Sequence, residues 1–539
     1  MTAGRRDVGI ALRSALTRSQ YGANLRRVTR RRRSAVVTLS SLAYPSTSRA
    51  TAWAVPTRAA LLMLTALALV LRFWGFGWIP SDPFYDAAVR SMGLSWSNFF
   101  YGAFDPGGTL SIDKPPIDLW LQVASTKLFG FSSTSVRLPE AVAGAVAVPL
   151  LYDLVRRRCG HIAGLSAAAA LAVLPAAVLT SRSDTMDTLC GTVLIAAAWA
   201  IVALKPGRGV LVAAALAGLA FEIKLFQAAV AFPALIVLAW YELEADRRRW
   251  LIRAGLVFVA VAALWPVAAS LVPGAHPWAL GATDGKVWNV ILVYNGLYRL
   301  GAATGPAAPT GPSPWRLFTS GYMELVGFYL LVTFAAALVA SRGRLSRNPL
   351  VLGVTVWIAC GFVLFSVQGW VRFRYFEAFT PALAAGLGIA VARVARERAL
   401  VTAVLLAAAL AWPLTTSLQV VRTGRYDSQT LGAMAPSLVD RLSPYARTGR
   451  LAVSSAVLAA PLIAHDGKPM TILTSWKGQP FTTDRDLRAK VAHGDVRFAL
   501  LDPTKTAPSV QWALTHGQDM TSEVGVGVGP GLRFVRLGP

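Results

Sequence analysis

The sequence predicts an all-α polytopic membrane protein of about eleven transmembrane helices, with a small extracytoplasmic α/β domain at its C-terminal end. Three observations predict it. Apolar runs of about 20 residues recur along the chain, the short loops between alternate runs are basic, and the chain changes character after residue 416. Of the 539 residues, 55% are hydrophobic and only 15% are charged, against roughly a quarter in ordinary soluble domains. Mean hydropathy is +0.50. One soluble core cannot enclose so many long apolar runs, whereas each fits a bilayer.

Taken in order, residues 1–57 form a basic tail containing Arg30-Arg31-Arg32-Arg33. It is polar, no cleavage pattern follows it, and it is expected to be disordered and cytoplasmic rather than a secretory signal. An organellar transit peptide is the alternative its Ser and Arg content leaves. The spans fall near 58–78, 135–155, 160–181, 186–204, 208–223, 225–241, 251–271, 317–340, 350–368, 377–393 and 399–416, the fifth and sixth being short.

With the tail inside, the cytoplasmic loops carry Arg156-Arg157-Arg158, Lys205 with Arg208, Arg247-Arg248-Arg249, Arg342/Arg344/Arg347 and Arg393/Arg396/Arg398. All five are basic, which fixes the predicted orientation. The outward segments near 79–134 and 272–316 are longer and rich in Trp, Tyr and Pro, and Gly305-Pro306 with Pro309-Thr310-Gly311-Pro312 makes the second irregular. An odd number of spans leaves 417–539 outside. There Leu451-Ala452-Val453 and Val496-Arg497-Phe498-Ala499-Leu500 read as short strands.

A net charge of +26 ordinarily points to nucleic acid or anionic lipid. Here it sits in the tail and in short loops beside apolar spans, so membrane lipids are expected as partners and nucleic acid is not. Cys159, Cys190 and Cys360 lie far apart and suggest neither a disulfide framework nor a zinc site.

Four clusters carry candidate chemistry, and all fall on the predicted outward side. In the first outward segment, Ser81-Asp82-Pro83-Phe84-Tyr85-Asp86 leads into an amphipathic stretch suited to the membrane surface. Asp82 before Pro83 also reads as a helix N-cap, and Asp86 four residues before Arg90 as one half of an ion pair. The same segment ends in Asp113-Lys114-Pro115-Pro116. The prolines hold Lys114 extended and fix where its charge is presented, which suits a phosphate; a solvated turn is the bland alternative.

The second cluster, Thr180-Ser181-Arg182-Ser183-Asp184-Thr185-Met186-Asp187, puts two carboxylates and an arginine at a span junction, where a cavity is a cheaper neighbour than lipid. Helix capping by Ser183 or Asp184 competes with that reading. The third is Glu222-Ile223-Lys224, whose two charges do not share a helical face. The fourth is Arg372-Phe373-Arg374-Tyr375-Phe376-Glu377, two arginines either placed for a phosphate or anchoring the interface. Carboxylates and fixed cations gathered at a membrane surface suit chemistry on a lipid phosphate.

The chain resembles the GT-C superfamily of polyprenyl-phosphate-sugar glycosyltransferases, in particular the ArnT and protein O-mannosyltransferase-like group (glycosyltransferase family 39) and its bacterial YkcB-type members. The residues that carry the resemblance are Phe84-Tyr85-Asp86-Ala87-Ala88-Val89-Arg90-Ser91-Met92, Asp113-Lys114-Pro115-Pro116, Thr185-Met186-Asp187, Tyr294-Asn295-Gly296-Leu297 with Arg299-Leu300, and Arg374-Tyr375-Phe376-Glu377-Ala378. Their order and spacing cover nearly the whole membrane region.

The resemblance implies the GT-C fold in a bacterial plasma membrane and inverting transfer of a sugar from a polyprenyl-phosphate donor to an acceptor hydroxyl. The acceptor would be a protein, a glycolipid or a polysaccharide. It implies Lys114 as the donor-phosphate ligand with Asp113 beside it, Arg374 and Arg182 as further phosphate ligands, and a catalytic base at Asp82 with Asp86 in reserve. Asp187, Asp184, Glu222 and Lys224 complete the site. Ser81-Asp82 departs from the paired acidic residues of some families, and Arg374-Tyr375-Phe376-Glu377 departs from a His-Pro-Tyr-Tyr form. No cofactor is expected. Asp184 and Asp187 are the candidate pair for a divalent cation, but nothing in the pattern requires a metal.

A transporter or flippase of a lipid-linked or anionic envelope substrate is the alternative function. Transporters show repeats and broken helices at mid-membrane, whereas these charges gather at one surface. A structural protein presenting its C-terminal region to envelope partners would leave Asp113-Lys114-Pro115-Pro116 unexplained.

Overall fold

A computed structural model describes residues 54–539 except 80–81, 275, 299–310, 320, 342–346, 370, 396–398, 425–433, 476–478, 526–530 and 539. The basic tail with Arg30–Arg33, Ser81, Arg299-Leu300, the 305–310 part of the irregular loop, and Arg342, Arg344, Arg396 and Arg398 therefore lie outside the described residues.

The expected spans all contain helix, although the one expected over 317–340 is broken near its start and runs on from a π-helical turn at Met323–Gly327. In order they are α1 (Ala54–Phe73), α5 (Ser133–Cys159), α6 (His161–Val173) with α7 (Pro175–Thr180), α8 (Asp187–Ala203), α9 (Pro206–Lys224), α10 (Phe232–Glu242), α11 (Arg247–Ala262) with α12 (Leu264–Leu271), α13 (Phe328–Ser341), α14 (Pro349–Val367), α15 (Thr380–Ala395) and α16 (Ala399–Thr423). Three short helices lie between the first two spans: α2 (Pro83–Met92), α3 (Trp96–Tyr101) and α4 (Ile117–Phe129). Among the described residues, four stretches are long and apolar enough to cross a membrane: Thr57–Trp78, Ser133–Cys159, Pro206–Glu242 and Pro349–Val367. The pair α11 and α12, bent by 44°, makes a fifth.

The stretch Pro206–Glu242 is 37 residues long but is not one straight span. A 3-10 turn over Leu225–Ala231 interrupts it, and Leu225 takes a left-handed φ of 51°. Its two ends return to the same end of the bundle, where Gly207 lies against Trp250 and Glu242 pairs with Arg158. The fifth and sixth apolar runs thus form a hairpin of helices. Other helices approach closely because their contacts are small. A Cβ on Gly388 of α15 would collide with the Ala163 carbonyl of α6, the kind of backbone approach that Gly and Ala permit.

Helix α16 runs past residue 416 to Thr423. Beyond it come α17 (Pro436–Arg447), α18 (Ala456–Asp466), α19 (Asp484–Ala492) and α20 (Pro508–His516), set around a five-stranded sheet. Two further strands, β1 (Leu110–Ser111) and β2 (Trp278–Ala279), pair with each other earlier in the chain. The sheet strands are β3 (Leu451–Val453), β4 (Thr471–Ile472), β5 (Phe498–Leu501), β6 (Gln518–Asp519) and β7 (Arg533–Arg536), in the order β4-β3-β5-β7-β6. β3 is parallel to β4 and β5, and the remaining pairs are antiparallel. Residues 59–539 form one compact unit, and α18 packs on α2, where Arg90 Nη1 donates to the Ala464 carbonyl at 3.1 Å.

Candidate active site

Lys114 owes its position to the backbone on both sides of it. Upstream, β1 pairs in parallel with β2, so the two long loops meet edge to edge, and the Ile112 N–H donates to the Gly102 carbonyl at 2.9 Å. Gly102 holds a left-handed φ of 66°, and a Cβ there would press on Pro116 at 3.0 Å. Downstream, Pro116 caps α4, which starts at Ile117. The Asn295 amide donates to the Asp113 carbonyl at 2.6 Å. From this fixed strap the Lys114 ammonium meets Asp113 Oδ1 at 3.0 Å and donates to the Tyr85 hydroxyl at 3.0 Å, with its charge 5.3 Å from the Tyr85 ring centre. Burial pushes the Tyr85 phenol above its ordinary value, so it stays neutral beside the lysine.

A second group gathers on Asp187, the first residue of α8. Its carboxylate accepts from Lys224 Nζ at 2.7 Å and from Gln227 Nε2 at 3.0 Å, and Arg374 Nε lies 4.0 Å away. Gln227 also donates to the Tyr375 carbonyl at 3.1 Å. Lys224 and Gln227 both reach Asp187 because the chain turns at Leu225. A positive φ on a branched residue costs roughly 1–3 kcal/mol, a strain commonly found at functional sites.

Asp82 and Asp184 make a third group at the start of α2. Asp82 N-caps α2, accepting from the Phe84 N–H at 3.1 Å, and its own N–H donates to Asp184 Oδ2 at 3.2 Å. Burial raises the Asp82 carboxyl well above the ordinary range, and the adjacent Asp184 pushes the same way while Arg374 opposes it. Burial raises Asp184 as well, against the pull of Arg137. Asp86 is buried on the same helix, and Arg90 turns to Ala464 and the Phe131 ring rather than pairing with it.

Two expected site residues are engaged elsewhere. Arg182 Nη1 donates to the carbonyls of Leu71, Arg72 and Trp74 at 3.2, 3.0 and 2.8 Å, closing the C-terminal end of α1. Glu222 accepts from the Trp265 N–H at 3.1 Å and so caps α12 at the bend in its span. Glu377 likewise accepts from its neighbour Thr380 at 3.0 Å.

A cavity of about 700 Å³ opens where these elements meet. Lys114, Lys224, Arg372 and Arg374 line it together with Tyr85, Asp113, Gln227 and Asn295, while Leu225, Phe226, Leu292, Leu297, Leu364 and Phe365 make its apolar wall. Asp187, which holds Lys224 and Gln227, is not itself in the lining, and neither are the buried Asp82, Asp86 and Asp184. Sequence reasoning assigned no role to Tyr85, Gln227 or Asn295. The first and last stood inside quoted motifs, but Gln227 gave no local signal, since an amide in an apolar run is marked only by what it touches. Among the described residues, no group of three or more His, Cys, Asp or Glu side chains is arranged to hold a metal ion.

The dolichyl-phosphate-mannose-protein mannosyltransferase family matches residues 113–272. Two proteins of Bacillus subtilis (strain 168) are similar: YycA, 35% identical over 260 residues, and YkcB, 31% identical over 247. These matches take in 46% and 44% of this chain but only 38% and 34% of the relatives, so the chain covers well under half of their length. ArnT from Cupriavidus metallidurans, solved bound to undecaprenyl phosphate, superposes with a TM-score of 0.57 at 16% identity, over 90% of this chain and 98% of ArnT. The chain is therefore similar to GT-C glycosyltransferases of the ArnT and mannosyltransferase type, and it has the ArnT fold.

Proposed function

We propose that this protein is an integral membrane glycosyltransferase that moves a sugar from a polyprenyl-phosphate donor to an acceptor hydroxyl on the extracytoplasmic side. The observation that carries the reading is the cavity itself, in which four cations share one space with an apolar wall. A polyprenyl phosphate has the same two parts, a dianionic head and a hydrocarbon tail. Asp113 and Asp187 hold Lys114 and Lys224 in place, and a phosphate entering this cavity would meet all four cations at once. That ArnT was solved with undecaprenyl phosphate supports the same donor class here.

In this mechanism Lys114 and Arg374 hold the donor phosphate, with Lys224 completing the cradle and Asp113 and Tyr85 fixing the Lys114 ammonium. The acceptor oxygen attacks the anomeric carbon, and the carbon–oxygen bond to phosphate breaks on the opposite face, inverting the centre. The bond electrons leave with the phosphate, where the cations stabilise them. Asp82 takes the acceptor proton, with Asp86 as the alternative base. Raised by burial, a carboxyl such as Asp82 is a stronger base once ionised than an exposed one.

The topology that goes with this reading has about eleven spans over residues 58–416, a cytoplasmic N-terminus, and residues 417–539 outside as an extracytoplasmic domain. The acceptor is a protein, a glycolipid or a polysaccharide. The test is to incubate purified protein with a panel of polyprenyl-phosphate sugars and membrane acceptors, beside Asp82→Asn and Lys114→Ala. Sugar transfer that both substitutions impair is expected. No transfer from any donor, or two folded variants at full activity, would overturn the mechanism.

A further inference from the structure

The two halves of the cation cradle belong to different elements. Lys114 enters from the strap before α4, whereas Lys224, Gln227 and Arg374 gather around Asp187 at the start of α8. A buried link joins those elements through Asp118 on α4 and Glu140 on α5, which are 1% and 0% exposed. Glu140 Oε2 accepts from the N–H groups of Thr188 and Leu189, both at 3.0 Å, and so caps α8 immediately after Asp187. On the other side, Gln122 Nε2 donates to Asp118 Oδ2 at 2.9 Å and to the Asp184 carbonyl at 3.0 Å.

That leaves one oxygen on each acid. Asp118 Oδ1 and Glu140 Oε1 are buried, and among the described residues no donor group reaches either. The two carboxyl groups lie within hydrogen-bonding range of each other. Ionised carboxylates only accept, so two of them can bond only with a proton between them. We propose that Asp118 and Glu140 share one proton, and that this acid pair is a positioning element which keeps the Lys114 strap in register with the Asp187 group, so that the grip on a lipid-linked phosphate weakens when the proton leaves. The inference rests on the reading of the cavity as a lipid-phosphate site.

The surroundings favour a retained proton. Burial pushes the Asp118 carboxyl up to about 6, although its bond to Glu140 pulls the other way. The charged groups facing Asp118 are Glu140 on α5, Asp187 on α8, Lys224 on α9 and Lys114 on the strap. Glu140 faces Asp118 and Asp187, with the Cys190 thiol nearby on α8. Asp118 holds its proton more tightly in the fold than in the unfolded chain, so this contribution is present at lower pH and is lost as pH rises. Full ionisation would set two carboxylates against each other in a desolvated site and press α4 away from α5, and so from the start of α8 that Glu140 caps.

The experiment uses the full chain in detergent, with a short-chain polyprenyl phosphate as the probe, titrated from neutral to alkaline pH. Wild-type affinity is expected to fall about tenfold or more on the alkaline side, a change of roughly 1.4 kcal/mol. In Glu140→Gln the amide donates to Asp118 at every pH while its oxygen still caps α8, so the alkaline fall should vanish. Asp118→Asn repeats the design from the other side should the first variant fail to fold. Glu140→Ala, which loses the bond to Asp118 and both bonds to α8, should bind more weakly throughout.

Infrared spectra read the proton directly: a protonated-carboxyl carbonyl band in wild type should disappear in Glu140→Gln. Absence of that band, or an alkaline fall retained in both amide variants, overturns the acid pair. A band that is present in a wild-type protein that binds no polyprenyl phosphate would instead overturn the lipid-phosphate reading, and with it the link from the pair to donor grip.

Discussion

Both ends of the helical bundle are rich in cations, but the two sets are held differently. At one end the Arg156, Arg157 and Arg158 side chains are 34–38% exposed, pair with Asp153 and Glu242, and lie over Tyr152 and Trp199. At the other, the Lys114, Lys224 and Arg374 side chains are 7–10% exposed, lie against Asp113 and Asp187, and line one cavity. Exposed pairs are worth about 0–1 kcal/mol and are easily exchanged for water. Buried cations carry a desolvation cost that only a matched anion offsets. The first set fits an orienting and anchoring role, and the second fits holding an anion. Burial, not residue type, separates them.

That contrast can be broken by substitution, beginning where the effect should be greatest. Asp82→Asn is expected to lower kcat by about 10²- to 10⁴-fold, the range for removing a general base. If Asp86→Asn shows that loss instead, the base is reassigned. Lys114→Ala should cost about 10²- to 10³-fold in kcat/KM by removing a donor to the leaving phosphate, whereas Arg157→Ala at the other end should stay within about threefold, with stability changed by no more than about 0.5 kcal/mol. A loss for Arg157→Ala as large as that for Lys114→Ala would erase the distinction. Asp187→Asn, which keeps the shape but removes the charge that gathers Lys224 and Gln227, should raise donor KM by about tenfold, a 1.4 kcal/mol effect.

The pH profile sharpens the same contrast. The Asp82 carboxyl is held well above its ordinary value, so the acceptor-activating carboxylate should form only as pH rises through that raised value. Activity should therefore climb with pH on the acid limb. The sign for stability is opposite: the folded state favours the protonated form, so this group's contribution is lost as pH rises. Acid-limb activity that does not vary with pH would remove Asp82 as the base.

Much of the architecture was legible in the chain. Apolar runs marked the helices and basic loops marked their ends, because both follow from what a bilayer tolerates. Asp113-Lys114-Pro115-Pro116 announced itself, since two prolines beside a charged pair constrain the backbone locally. Arg182 and Glu222 carried an equally strong sequence signal, yet the structure engages them at helix ends, Arg182 on the α1 carbonyls and Glu222 on the Trp265 N–H. Gln227 carried almost none, and it reaches Asp187 only because the chain turns at Leu225.

The sequence by itself determined that the chain is a bundle of apolar helices, with its candidate site residues in a few charged segments. Those are properties of hydropathy and local backbone restriction, which neighbouring residues decide. Only the tertiary structure decided which charges share the cavity, which cap helices, and which acids face one another. Those outcomes depend on burial and on distances between segments remote in the chain, such as Asp118 with Glu140 and Lys224 with Asp187. In an interior where water cannot screen them, those distances set whether a charge costs or contributes.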